Sequence, residues 1–226
     1  MTADMLIEDV HFKLNKAKPF EIGWKALGRN ISDIAAMGGL PRYALVSIGI
    51  DSGLPVSFVD GIYKGIRALA DRFKINIVGG DTAASSKLVM DISLIGEVER
   101  NLLATRSGAK KGDAILLTGA IGGSIKGRHL NFMPRLKEAR ALVGNFKINS
   151  MIDVSDGLVL DLWRILDASR VGARIYQDAI PLREDADSFE SAIRAGEDFE
   201  LLFTMNVKEA RRFFKTWRIA KMDTPV

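Results

Sequence analysis

The sequence predicts an α/β (α+β) protein of two domains, with mixed sheets flanked by helices. Segments with strand periodicity and segments with helical periodicity alternate along the chain, which is typical of this class. A turn-rich stretch around Arg106 is followed by a fresh strand and predicts a domain boundary there. The content of 47% hydrophobic and 27% charged residues is that of a folded protein, and 226 residues suit one large domain or two small ones.

The first domain is predicted over residues 1–104. A helix over Glu21–Met37 follows from apolar residues at helical spacing and from the glycine stop at Gly38-Gly39. Further along come, in order, a strand at Tyr43–Ile50, a helix at Val56–Phe73, a short strand at Ile75–Val78 that ends in Gly79-Gly80-Asp81, and a strand at Leu88–Val98. This order of strand, helix, strand and strand predicts a mixed sheet.

The second domain is predicted over residues 105–226, after the turn-rich stretch Ser107–Asp113. Its predicted elements are a strand at Ala114–Thr118, a glycine-rich turn at Gly119–Gly127, a helix from about Pro134, a strand ending at Ile152, a helix at Asp156–Ser169, and strands at Ala173–Gln177 and Glu200–Thr204. Basic residues from Lys208 to Lys221 accompany an apolar stripe and predict a surface helix.

The residue types present restrict the kind of metal site. The chain has no cysteine, which excludes disulfides, thiolate zinc sites, iron–sulfur clusters and cysteine nucleophiles. Two histidines, His11 and His129, are too few for a multi-histidine site. A metal would therefore be held by oxygen atoms from the 28 acidic residues, which suits magnesium, calcium or manganese.

The charge and hydropathy patterns argue against nucleic-acid and membrane partners. The net charge of +4 results from 32 basic and 28 acidic residues spread over the chain, without the concentrated excess of a nucleic-acid-binding protein. No run of eighteen apolar residues is present, and the first residues lack the pattern of a signal peptide. We expect a cytoplasmic protein.

Four short segments place an aspartate among small residues: Thr2-Ala3-Asp4, Ser32-Asp33, Gly79-Gly80-Asp81-Thr82 and Asp153-Val154-Ser155-Asp156-Gly157. Each alone is typical of a turn or a helix cap. The last stands out because a strand leading into it would place two carboxylates beside a helix N-terminus, where α/β folds bind phosphates.

Convergence of these aspartates would require cations. Two carboxylates about 4 Å apart repel by roughly 4 kcal/mol at an effective dielectric constant near 20. Magnesium carrying the phosphates of a nucleotide would relieve that repulsion. The usual nucleotide-binding motifs, such as the P-loop and the dinucleotide fingerprint, are missing. The residues alone therefore predict a metal and phosphate site without naming a substrate.

Six segments, taken in order, resemble the thiamine-monophosphate kinase family of the aminoimidazole-ribonucleotide-synthetase-like superfamily. They are Asp4–Phe12, Asn30–Gly38, Gly79–Thr82, Thr105–Lys110, Ile152–Leu158 and Gly196–Thr204. The resemblance extends from residue 2 to about residue 204. It implies a two-domain fold that forms a homodimer through its N-terminal domains.

The resemblance also implies roles for individual residues. The implied magnesium ligands are Thr2, Asp4, Asp33, Asp81, Asp153 and Asp156, the last two also being the catalytic pair. The implied ATP contacts are Tyr63, Gly80, Arg106 and Ser155. The implied substrate contacts are His11 and Glu197.

The implied reaction is transfer of the γ-phosphoryl group of ATP to thiamine monophosphate, giving thiamine diphosphate. A phosphomonoester has a second pKa of about 6 and is largely ionised at neutral pH, so this nucleophile needs no catalytic base. The protein would align the reactants and neutralise their charge. The alternatives are another ATP-dependent synthetase of the superfamily and a non-catalytic nucleotide-binding dimer. The absence of cysteine argues against the selenophosphate-synthetase and carbamoyl-dehydrating branches.

The chain departs from the family pattern in three places. A Gly-Asp-Asp segment that supplies a further metal-binding aspartate is expected upstream of Met1. The stretch Gly122–Leu130 joins two family segments that usually have a longer piece between them, and His129 lies at this join. The chain ends at Val226, before the aromatic-containing segment expected at the C-terminus.

Overall fold

The computed structural model describes residues 1–217 and residue 224 of the chain. These form two compact units. Unit 1 comprises Met1–Ile34, Leu40–Glu97 and Leu130–Pro134, and unit 2 comprises Ala35–Gly39, Val98–His129 and Arg135–Val226. The boundary at residues 104 and 105 stays a prediction, since the main division falls at Glu97 and Val98 and short segments are exchanged.

Unit 1 contains a four-stranded mixed sheet and two long helices. In chain order the elements are β1 (Thr2–Ile7), α1 (Pro19–Ala36), β2 (Leu40–Ile50), α2 (Val56–Phe73), β3 (Asn76–Ala84) and β4 (Val89–Glu97). The strand order is β1-β4-β2-β3, in which β2 and β3 are parallel and the other pairs antiparallel. The mixed sheet predicted from the sequence is confirmed.

The two faces of the sheet in unit 1 differ in burial. Ala44 and Val46 of β2 are buried, whereas the alternating residues Tyr43 and Leu45 are about half exposed. Strand residues point alternately to opposite faces, so one face belongs to the core and the other is open.

Helices α1 and α2 are in backbone contact through glycines. A Cβ atom on Gly23 of α1 would lie 1.9 Å from the carbonyl oxygen of Ile62, and one on Gly65 of α2 would lie 2.0 Å from that of Phe20. Neither position has space for a side chain. The close approach of α1, which carries Asp33, to α2 therefore depends on these two glycines.

Unit 2 contains a three-stranded antiparallel sheet with strand order β5-β7-β6. Its elements are β5 (Asp113–Leu117), short 3-10 helices at Ser124–Lys126, Arg128–Leu130 and Gln177–Ala179, α3 (Leu136–Asn145), β6 (Ser150–Asp153), α4 (Leu158–Ser169), α5 (Phe189–Arg194), β7 (Leu201–Asn206) and α6 (Val207–Thr216). The core brings together Ile152, Leu202 and the buried face of α4.

Three sequence predictions about secondary structure are wrong. Residues 173–176 form no strand, and Gln177 begins a 3-10 helix. Asp4 and Asp81 lie inside β1 and β3 rather than in turns. At Gly80 the carbonyl oxygen of Val46 lies 1.8 Å from where a Cβ would be, so this glycine permits close strand approach instead of a turn.

The helix predicted to begin at Asp156 begins two residues later. Gly157 has φ of 107°, which lies outside the helical region, so α4 begins at Leu158. At the C-terminus, α6 ends at Thr216, and the predicted continuation at residues 218–221 lies outside the described residues. Within the described part of the chain, no helix is long and apolar enough to cross a membrane.

Candidate active site

Unit 1 brings together three of the predicted metal ligands. The Thr2 hydroxyl on β1 donates a hydrogen bond to the Asp33 carboxylate on α1. Asp4, two residues further along β1, pairs with Arg29 at 3.2 Å. Arg29 and Asp33 lie one helical turn apart on α1, so β1 and one face of α1 hold the whole group. Arg29 had no motif of its own and was missed in the sequence.

Asp81 lies on the opposite face of the same sheet. Asp81 on β3 is paired with Ser47 on β2, and Ser47 is paired with Asp91 on β4. Asp4 on β1 is instead paired with Ile92 on β4, the next residue along, whose side chain is buried. Paired residues project to the same face, which places Asp81 on the open face. Its carboxylate accepts a hydrogen bond from the Thr82 backbone N–H at 2.8 Å. Unit 1 by itself therefore does not bring Asp81 to Asp4.

The predicted substrate contact His11 has a fixed ring orientation. Its Nδ1 accepts a hydrogen bond from the Ile7 backbone N–H at 3.0 Å, so the neutral ring carries its proton on Nε2. The carbonyl oxygen of His11 accepts a hydrogen bond from the buried Lys25 ammonium at 2.7 Å. Lys25 was a second residue missed in the sequence, where it is one lysine among many. The predicted ATP contact Tyr63 is half-buried on α2.

In unit 2 the predicted phosphate turn lies against the predicted substrate segment. We call residues 153–157 the aspartate turn and residues 196–200 the acidic segment. The Glu197 N–H donates to the carbonyl oxygen of Ser155 at 2.8 Å, and the Phe199 N–H donates to that of Val154 at 2.8 Å. The Val154 N–H donates to the carbonyl oxygen of Glu200 at 2.7 Å. Two motifs about 40 residues apart in sequence thus share one backbone frame.

A buried carboxylate on α4 holds the backbone of the aspartate turn. Oδ2 of Asp161 accepts the backbone N–H groups of Ser155 at 3.0 Å and Asp156 at 2.9 Å. Nη1 of Arg164 lies 2.6 Å from Oδ1 of Asp161 and 2.6 Å from Oδ2 of Asp156. Burial raises the pKa of the Asp161 carboxyl, and the Asp156 N–H and Arg164 oppose that rise. Asp153, also buried, ends β6.

Asp161 and Arg164 were missed in the sequence. An aspartate in the first turns of a helix and an arginine three residues later are the ordinary pattern of a solvated helix face. Their only available signal was position, five and eight residues after Asp156. Arg106, a predicted ATP contact, is exposed, and its carbonyl oxygen accepts a hydrogen bond from the Ser169 hydroxyl at 3.3 Å.

The acidic segment contains two residues with left-handed backbone, Glu197 at φ of 68° and Phe199 at φ of 53°. We call residues 122–129, which lie against this segment, the clasp. Its Gly122 N–H donates to both carboxylate oxygens of Asp198 at 3.1 Å. Burial raises the pKa of Asp198 to about 6, against the opposing effect of the Gly122 N–H.

The oxygen donors fit magnesium that is carried by a nucleotide. Among the described residues no three histidine or acidic side chains form a group that could hold a metal ion. Magnesium is commonly bound through one or two carboxylates together with substrate phosphates and water, rather than in a cage made of protein alone. The carboxylates of Asp33 in unit 1 and Asp156 in unit 2 are donors of the required type.

The fold and the site define a class of protein. The family model for AIR synthase related protein, N-terminal domain, matches residues 1–98, and the model for the C-terminal domain of the same proteins matches residues 110–216. Hydrogenase maturation protein HypE shares this fold with a TM-score of 0.81 at 21% identity. At that identity the likeness concerns the fold alone.

Relatives and solved structures give a narrower assignment. The chain is 36% identical over 248 residues to thiamine-monophosphate kinase of Bacillus subtilis, covering 97% of this chain and 74% of that protein. It is 38% identical over 217 residues to the enzyme of the same name from Rhodopirellula baltica, covering 92% of this chain and 68% of that protein. The chain belongs to the thiamine-monophosphate kinase family.

Two solved structures of this family superimpose closely. The thiamine monophosphate kinase of Aquifex aeolicus has a TM-score of 0.85 at 32% identity, covering 92% of this chain and 78% of that chain. AaThiL complexed with AMPPCP and TMP gives the same TM-score and identity, covering 92% of this chain and 75% of that chain. The predicted family and the two-domain mixed α/β fold are confirmed.

Proposed function

We propose that this chain transfers the γ-phosphoryl group of ATP to the phosphate of thiamine monophosphate, giving thiamine diphosphate and ADP. The family relationship supports this activity, as does a related structure that holds AMPPCP and TMP together. The observation that carries the proposal is the shared frame in unit 2. The aspartate turn and the acidic segment are joined by three backbone hydrogen bonds of 2.7–2.8 Å, so the element proposed to bind phosphate lies next to the one proposed to bind the acceptor.

The proposed chemistry requires alignment and charge neutralisation more than proton transfer. The acceptor phosphate is largely ionised at neutral pH, since its second pKa is about 6. The residues proposed to hold magnesium are Thr2, Asp4, Asp33, Asp81, Asp153 and Asp156. When bound, magnesium would neutralise the phosphate oxygens of ATP and of the acceptor. Asp161 holds the backbone N–H of Asp156 and Arg164 pairs with its carboxylate, and together they keep that carboxylate in place.

Separate residues are proposed for ATP and for the acceptor. The proposed ATP contacts are Tyr63, Gly80, Arg106 and Ser155. The proposed acceptor contacts are His11 and Glu197. The imidazole ring of His11 is held in position by the hydrogen bond that its Nδ1 accepts from the Ile7 N–H. Glu197 offers a carboxylate to the positively charged thiazolium ring of thiamine monophosphate, an attraction between opposite charges.

The open sheet face of unit 1 supports the proposal of a homodimer. This face exposes neighbouring apolar side chains at Tyr43, Leu45, Val78 and Ile95, each between 47% and 58% exposed. A contiguous exposed apolar surface of this kind is typical of an association site. A second copy of the chain would cover it, and Leu45→Glu is expected to shift the protein to a monomer in sedimentation velocity. An unchanged dimer in that variant would remove this face from the proposal.

We place the reaction in the cytoplasm, where ATP and magnesium are available, and without a nucleic-acid or membrane partner. The modest charge excess of 32 basic over 28 acidic residues is the support for the absence of a nucleic-acid partner.

The activity is tested directly with ATP, magnesium and thiamine monophosphate, separating thiamine diphosphate from ADP by chromatography. We expect equal amounts of the two products and no ADP when any of the three components is omitted. Unphosphorylated thiamine in place of the acceptor should give no product. ADP release that does not depend on thiamine monophosphate would indicate another synthetase of the superfamily, and nucleotide binding without turnover would indicate a non-catalytic dimer.

A further inference from the structure

The clasp holds the acidic segment at several consecutive residues. Besides the bonds from Gly122 to Asp198, the Ser124 hydroxyl donates to the carbonyl oxygen of Glu197 at 2.6 Å. Nη1 of Arg128 donates to the carbonyl oxygen of Asp198 at 2.9 Å. Backbone and side-chain groups of the clasp therefore all bond to the acidic segment, and these bonds fix the conformation of the acidic segment.

A buried charge network anchors the end of the acidic segment. The Glu200 side chain is fully buried and accepts from Nη2 of Arg128 at 2.5 Å, from Nε of Arg135 at 2.6 Å and from the Thr118 hydroxyl at 2.9 Å. Charge-assisted hydrogen bonds of this kind are stronger than neutral ones. The Glu200 carboxylate therefore holds the structure of the acidic segment, whereas the proposed acceptor contact is Glu197.

The backbone of the acidic segment is strained at the residue proposed to recognise the acceptor. A non-glycine residue in the left-handed region costs on the order of 1–3 kcal/mol, and such residues concentrate at functional sites where the surroundings enforce them. Glu197 and Phe199 both lie in this region. The aspartate turn, through the Glu197 and Phe199 N–H groups, and the clasp, through the Glu197 and Asp198 carbonyl oxygens, together hold this conformation.

His129 completes the clasp at the Glu197 carboxylate. Its Nδ1 lies 3.2 Å from Oε2 of Glu197, and the two side chains are only 13% and 20% exposed. We propose that His129 is a positioning residue that orients the Glu197 carboxylate toward the cationic acceptor. It acts through Glu197, so it affects binding of thiamine monophosphate and leaves binding of ATP unchanged. The inference rests on the proposed function, in which Glu197 contacts the acceptor.

The experiment compares His129→Phe, which keeps a planar ring and removes the donor, with His129→Asn, which keeps a donor near the position of Nδ1. A hydrogen bond to a charged group contributes about 1.5–3 kcal/mol. His129→Phe is therefore expected to raise the KM for thiamine monophosphate about 10-fold or more, with the KM for ATP changed less than about 2-fold. His129→Asn should recover most of the loss.

Lys126→Gln is the matched control within the clasp. Lys126 pairs with Asp187 at 2.5 Å and makes a bond to the carbonyl oxygen of Asp185, both outside the acidic segment. This variant should bind both substrates like the unmodified chain. Thermal unfolding of all three variants identifies any that fail to fold, and His129→Asn keeps the test informative if His129→Phe is one of them.

A double-mutant cycle with Glu197→Gln separates the possible outcomes. If His129 acts through Glu197, adding His129→Phe to Glu197→Gln costs little further affinity for thiamine monophosphate. An additive loss, or an equal loss for ATP, would overturn the positioning role. So would a normal KM in His129→Phe when Glu197→Gln is impaired. If the unmodified chain forms no thiamine diphosphate, the proposed function itself fails, which is a distinguishable result.

Discussion

The two candidate ligand groups are built in different ways. In unit 1, Asp4 and Asp33 stand on a strand and a long helix, and their neighbours Thr2 and Arg29 are side chains of the same two elements. In unit 2, Asp156 stands on a turn whose backbone is held by the carboxylate of another residue. Regular elements need no outside help to point a side chain, whereas a turn does. Unit 2 is therefore the part in which an indirect substitution should affect the site.

The largest effects are expected from the proposed ligands themselves, where the two units should behave alike. Asp33→Asn and Asp156→Asn each remove a carboxylate charge while keeping the side-chain shape. Substitution of a residue that supports a metal ligand lowers metal affinity or activity about 10–100-fold. Substitution of a ligand itself should therefore lower kcat by at least about 100-fold. Steady-state assays measure this, and near-normal turnover in Asp156→Asn would refute its assignment as a ligand.

The indirect effect should be the next largest and should be confined to unit 2. Asp161→Asn weakens the hold on the N–H groups of Ser155 and Asp156 and leaves Arg164 with one carboxylate. We expect a 10–100-fold loss of Mn²⁺ affinity, measured by electron paramagnetic resonance in the presence of ATP. Asp167→Asn on the same helix is the control, because Asp167 is exposed. Equal behaviour of the two variants would mean that the turn holds itself.

In unit 1, the stability of the fold should be most sensitive to substitutions between the packed helices α1 and α2. Gly65→Ala places a methyl group where the carbonyl oxygen of Phe20 lies only 2.0 Å away, so α1 and α2 must separate. Overpacking of this kind costs about 1–3 kcal/mol in the free energy of unfolding. Gly144→Ala in α3 is the control, since apart from its chain neighbours and the backbone of its own helix no atom lies within 4 Å of the position that its methyl group would take. A Tm for Gly65→Ala equal to that of the control would show that the helices accommodate the methyl group.

The smallest effect concerns pH and again belongs to unit 2. Burial raises the pKa of Asp198 from 3.8 to about 6, so the native state holds a proton that the unfolded state releases in this interval. The stabilisation is present below about pH 4 and is lost as the pH rises through about 6. Between pH 5 and pH 7 the free energy of unfolding therefore decreases by about 1 kcal/mol because of this group. Asp198→Asn should flatten the Tm in this range, and an unchanged slope would assign it to another group.

Much of the fold was predictable, because hydrophobic periodicity marks long elements well. The helix at Val56–Phe73 has the predicted bounds. The errors arose where glycine had two possible meanings: Gly79-Gly80 looked like a turn, yet β3 continues through it to Ala84 because Gly80 allows a close approach of strands. Residues 173–176 include Ile175 and Tyr176, which favour strands, yet no strand of the described residues pairs with them, so local preference alone does not produce a strand here.

The candidate site was predictable in its charged motifs but not in the residues that support them. Asp153, Asp156 and Glu197 came from motifs, and the structure joins their segments through backbone bonds. Asp161 and His129 carry no local signal, because their roles depend on contacts with the aspartate turn and the acidic segment. A motif can be recognised from residues that are adjacent in the sequence, whereas a supporting residue can be recognised only once the fold has brought it to its partner.

The short segment Leu130–Pro134 has a consequence for how the gene could be divided. This segment lies far along the chain but belongs to unit 1, where the carbonyl oxygen of Phe132 accepts a hydrogen bond from the Trp24 indole at 2.7 Å and the Phe132 ring covers Gly28. A fragment ending at residue 104 would lack that cover. Unit 1 is therefore built from separated segments of the chain, and a single proteolytic cut at residue 104 would separate Phe132 from Trp24 and Gly28.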